Sequence, residues 1–147
     1  YILQKVVVGF LFGSLSSIVT ACICFRLSLQ NFGLMLALIV LSSFVAALIG
    51  LFIGKFSEGL MVGVVYIKIV MLVFIAVPIL CALIGVSGPL AVICNFVPSQ
   101  PAFEGIMALS AGSMGTAMKD TGILAIHCIA WFALYVLIST RRKKLAV

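Results

Sequence analysis

The chain has very little charge. Of its 147 residues 9 are basic and 3 acidic, and a single histidine is present. A soluble domain is about one-quarter charged, so a chain in which 8% of residues are charged cannot cover a soluble globular surface. The sequence also lacks GxxxxGK[ST], GxGxxG, HExxH and any CxxC pair, so the parts for nucleotide hydrolysis and for zinc chemistry are missing. Three carboxylates and one histidine leave little for general acid-base work, and no enzyme active site, metal or resident cofactor is expected. The basic residues carry no interleaved aromatics, which argues against nucleic acid. Five cysteines cannot all pair within one chain; they read as small buried hydrophobes, and nothing in the sequence supports a bridge from Cys81 to Cys94 on the outer side.

What the chain has is apolar length. Apolar residues make up 65% of it, and uncharged runs cover 6–25, 27–54, 69–103 and 121–140. A helix rising 1.5 Å per residue needs about 20 residues to cross ~30 Å of hydrocarbon. The expected architecture is all-α, a polytopic membrane helix bundle forming a single transmembrane domain. Its four spans lie at about 6–25, 34–54, 60–80 and 121–140. The chain opens on Tyr1 rather than methionine, and Tyr1 reads as an internal residue of a larger protein.

Charge placement orients the spans. With four crossings, Lys5, Lys55, Arg141, Arg142, Lys143 and Lys144 fall on the cytoplasmic side, whereas Arg26 and Lys119 fall outside. That distribution obeys the positive-inside bias and places the C-terminus in the cytoplasm. The terminal basic cluster also suits an anionic leaflet, so membrane lipids are partners.

The segment between the third and last spans is too long for a loop and is broken by Gly85, Gly88, Pro89, Pro98, Pro101, Gly105, Gly112 and Gly115. It reads as two short re-entrant helices, about 88–97 and 102–118, that enter the outer half of the membrane and return. Irregular backbone at that depth persists only when buried in protein or lining a watery cavity. Candidate path residues are therefore Ser87, Pro89, Asn95, Pro98, Pro101, Glu104 and Met107, together with Lys68, an ammonium within the third span. Either the Lys68 stem snorkels to the near interface or its charge faces a cavity. His127 reads as hydrogen-bonded to a neighbouring helix rather than titrating, and Asp120 as a boundary charge at the start of the last span. The pairs Gly9 with Gly13, Gly50 with Gly54 and Gly59 with Gly63 have the spacing that lets helix backbones approach closely.

The order of these features resembles the C-terminal half of ABC-2 type transporter permeases. A small-residue span over 44–54 is followed by the polar break at Lys55, Ser57, Glu58 and Gly59 and a long apolar run. Ser87, Gly88 and Pro89, the stretch from Asn95 to Pro101, and a last span with a basic tail then follow. The resemblance implies a permease subunit of an ATP-driven exporter, its spans the third to sixth of six. It also implies a separate ABC ATPase subunit that holds the ATP, a second permease copy or homologue, alternating access, and location in a bacterial plasma membrane. Two other classes stand beside it: a secondary transporter or channel subunit, and a structural membrane assembly subunit. The substrate class stays open among drugs, peptides, lipid-linked glycans and ions.

Overall fold

A computed structural model describes residues 2–25, 31–85 and 88–144. Those residues form six helices and, among them, no strand: α1 (Ile2–Phe25), α2 (Phe32–Phe56), α3 (Leu60–Ile84), α4 (Pro89–Cys94), α5 (Ser99–Ser110) and α6 (Met114–Lys144). α2, α3 and the Met114–Thr140 part of α6 are long and apolar enough to cross a bilayer, and α1 contributes the shorter apolar stretch Val7–Cys22. The chain is a multi-pass membrane protein.

Local chemistry sets the ends of these helices. α3 stops where Gly85 takes the left-handed conformation, φ 64°, which lets its N–H cap the Cys81 carbonyl at 3.1 Å. α4 begins with Pro89 at its first position, where a missing N–H costs nothing. Gly112, at φ 75°, turns the chain between α5 and α6.

These ends correct the expected short helices. The first is only Pro89–Cys94 rather than 88–97. The second runs Ser99–Ser110 rather than 102–118, because Pro101 sits in its first turn, where proline is tolerated, and the break falls at Gly112 instead. Residues 114–120 consequently belong to α6 and not to a separate element. α3 also runs past Pro78 to Ile84 without interruption.

α2 is the central helix and packs on α1, α3, α5 and α6. Val45 and Ile49 of α2 and Cys128 of α6 form a buried core, flanked by Val70 and Phe74 of α3 and by Trp131 of α6. Phe52 of α2 meets Trp131 at 5.5 Å and Tyr135 at 5.6 Å between ring centroids, both edge to face. Phe44 lies between Phe10 of α1, at 6.2 Å, and Phe132 of α6, at 6.5 Å. In lipid such side-chain packing replaces the hydrophobic drive as the force that holds helices together. α3 is largely open, with only Pro78 and Cys81 buried.

α5 and α6 form an antiparallel pair that positions the candidate site. Pro101, Gly105 and Ala108 of α5 are buried, as are Ala117, Asp120 and Leu124 of α6. Leu38 of α2 seals the junction: a Cβ at Gly105 would lie 3.0 Å from both Leu38 methyls and 3.4 Å from Asp120 Cβ. Only glycine leaves room for this three-helix contact.

Candidate functional site

The turn between α4 and α5 reaches far into the bundle. His127 Nε2 lies 2.8 Å from the Asn95 carbonyl oxygen, and because a carbonyl only accepts, Nε2 carries the proton and donates. His127 is about 20 Å along α6 from Met114 at 1.5 Å per residue. Next to it, Cys128 Sγ donates to the Leu41 carbonyl at 3.5 Å, about 14 Å along α2 from Phe32. The Asn95 break therefore lies at the depth of the α2 and α6 mid-sections. From there α5 climbs back to the turn at Gly112.

This hairpin carries an unusual load of polar atoms. Gln100 is 3% exposed; its Nε2 donates to Glu104 Oε1 at 2.6 Å, while its Oε1 has no partner among the described residues. Asn95 Oδ1 and Ser99 Oγ are likewise buried without partners among the described residues. Asp120, packed against Gly105, is 2% exposed and its Oδ2 has no hydrogen bond among them. Each such buried polar atom costs about 1–3 kcal/mol if left unsatisfied. Four of them around one hairpin mark a place where packing has been given up for something else.

The structure gathers some of the expected site residues and leaves others apart. Asn95, Pro98, Pro101 and Glu104 lie together on the hairpin, with Pro98 and Pro101 buried and Glu104 exposed. Pro89 and Met107 are exposed on α4 and α5. Lys68 is exposed on α3, about 20 Å along the helix from Cys81, whose thiol neighbours Cys94 on α4. It does not join the hairpin. Ser87 lies outside the described residues. Cys81 and Cys94 are within reach of one another and both thiols are free.

Asp120 requires a correction. It is not a boundary charge at a helix start, because α6 begins at Met114 and carries Asp120 inward beneath α5. Gln100 and Ser99 were visible only as polar residues between two prolines, and nothing in their spacing announced burial.

The paired glycines also behave differently from the close-packing expectation. A Cβ on Gly9, Gly50, Gly54 or Gly59 would meet nothing within 4 Å, while Gly13 faces Ser43 and Gly63 faces Ser57. Within the chain, Gly9 and Gly13 of α1 and Gly50 and Gly54 of α2 instead border a cavity of about 620 Å³. At one end of that cavity Lys55 Nζ donates to Ser139 Oγ at 3.2 Å and lies 5.3 Å from the centre of the Tyr135 ring.

Comparison with curated proteins and with solved structures finds no match. The family model described as ABC-2 family transporter protein matches residues 1–137. A membrane helix bundle and a family match over nearly its whole length together make this chain a member of the ABC-2 family of transporter proteins, a membrane component of an ABC transport system.

Proposed function

We propose that the chain works as a permease subunit of an ATP-driven exporter, with ATP hydrolysed on a separate ABC ATPase subunit and a second permease copy or homologue completing the path. The helices alternate between inward- and outward-open arrangements, and the α4 and α5 hairpin closes the outer exit. In this reading Lys55 and the basic C-terminal end lie in the cytoplasm, in a bacterial plasma membrane.

The observation that carries the proposal is the Asn95 break beside His127, in the middle of the bundle. Backbone that leaves the helix at such depth has to be covered by protein or meet water. Unpartnered Asn95 Oδ1, Ser99 Oγ and Gln100 Oε1 suit a segment that is dry in one arrangement and wet in another. A fixed structural cap would gain stability from apolar residues at those positions and has no use for them.

Reconstitution tests this reading. The chain is expressed with an ABC ATPase subunit, purified as a complex and placed in proteoliposomes. The expected result is that the ATPase co-purifies and that substrate movement requires ATP and stops when the ATPase site is inactivated. Movement that persists without the ATPase and follows an ion gradient would assign the chain to secondary transport instead.

A further inference from the structure

The cavity bordered by Gly9, Gly13, Gly50 and Gly54 is separate from the hairpin. α2 forms its floor, from Ser43 to Lys55, a length of about 18 Å at 1.5 Å per residue. α1 walls one side, and Tyr135 and Ser139 of α6 wall the other. The Phe10, Phe44 and Phe132 rings bridge α1 to α6 across α2 near the Ser43 end. The opposite end holds Lys55, the one charged group that lines this cavity among the described residues. An ammonium has three donors; among the described residues one is taken by Ser139 and the charge rests against the Tyr135 ring, which leaves a donor for an anion.

Shape and charge decide what kind of occupant suits this cleft, which is long, mostly apolar along α2 and ends in a cation. A single extended hydrocarbon chain with an anionic end fits that description. The floor is built from small residues whose absent side chains leave the space open, since a Cβ on Gly9, Gly50 or Gly54 meets no atom within 4 Å. We propose that this cleft binds an anionic phospholipid of the adjoining leaflet, one acyl chain lying along the glycine floor and the phosphate held by Lys55. A chain-shaped apolar slot that ends in a cation at the membrane boundary matches an amphiphile with negative charge at one end. Binding here needs neither the ATPase nor the export reading, so either idea can fail without the other.

Trp131 is the single tryptophan of the chain and lies one turn from Tyr135 on α6, which provides the readout. The purified full-length chain is placed in phosphatidylcholine vesicles containing either dibrominated phosphatidylglycerol or dibrominated phosphatidylcholine at equal mole fraction, and Trp131 quenching is recorded. The expected result is half-maximal quenching at a mole fraction at least twofold lower for the anionic lipid. Lys55→Ala removes that preference and Lys55→Arg keeps it. Gly50→Leu and Gly54→Leu, which fill the slot and favour helix, also remove it while the charge stays in place. Equal quenching by both lipids in the unaltered chain overturns the proposal. So does a preference that survives Gly50→Leu and Gly54→Leu, because the attraction would then belong to surface charge alone. Self-association that is lost in the leucine variants, with lipid preference unchanged, would make the cleft an interface between copies and equally overturn it.

Discussion

His127 shows how one side chain can hold an irregular backbone inside a membrane. Its donor satisfies the Asn95 carbonyl at the end of α4, a group that no helix can satisfy and that water reaches poorly at this depth. His127→Ala leaves that carbonyl unsatisfied, at a cost of about 1–3 kcal/mol. Amide hydrogen exchange over 95–100 should then quicken by tenfold or more while exchange in α2 stays unchanged; His127→Gln, which keeps a donor, should restore part of the protection. Equal exchange in all three proteins would show that the bond holds nothing. The sequence made it readable that His127 hydrogen-bonds a neighbour, since a lone histidine in an apolar run needs a partner, but its role as donor follows from the carbonyl it meets. It could not name Asn95, because that contact depends on how far α4 and α5 descend. Asp120 was misread for a related reason: the charge is plain in the sequence, but its burial follows from where α6 begins.

At the scale of elements, the contact of α5 with α2 and α6 depends on Gly105. The two Leu38 methyls and Asp120 leave no room for a larger residue there. Gly105→Leu should destabilise the protein by about 1–3 kcal/mol through overpacking and lower its thermal midpoint in detergent. Gly50→Leu, on an open face of α2, should leave the midpoint unchanged or raise it slightly through better helix propensity. Equal effects of the two would mean that α5 does not pack as described. The contrast also explains which element-level features were legible. Long apolar runs between charges gave α2 closely and α1 and α3 to within four residues, but missed the first seven residues of α6. Glycine spacing, in contrast, carries two opposite meanings: it can let helices touch, as where Gly13 faces Ser43, or leave a slot between them, as at Gly50 and Gly54. Spacing alone does not choose, since the outcome depends on whether a neighbouring helix converges or diverges at that level. Proline was ambiguous in the same way: Pro101 lies inside the first turn of α5, where a break before the second short helix had been expected.

For the whole molecule, the proposed function makes the α4 and α5 hairpin the element that moves, and membership of the ABC-2 transporter family is the setting in which that proposal stands. Scarcity of charge remains the fact that organises the chain. It sets the spans apart; the charges inside them are Lys55 near the end of α2, Lys68 on the open face of α3, and Lys119 and Asp120 on α6. The central claim is that the hairpin gates an export path in step with ATP use. Single cysteines at positions 95, 99, 100 and 107, in a chain whose own cysteines are replaced by alanine, measure this directly. The chain is reconstituted with its ATPase, and an impermeant maleimide is applied from the outer side. Labelling at 95, 99 and 100 is predicted to be slow without nucleotide and to rise at least fivefold during ATP turnover, whereas position 107, already exposed on α5, labels at the same rate in both conditions. Uniform labelling at all four positions, indifferent to ATP, would contradict it.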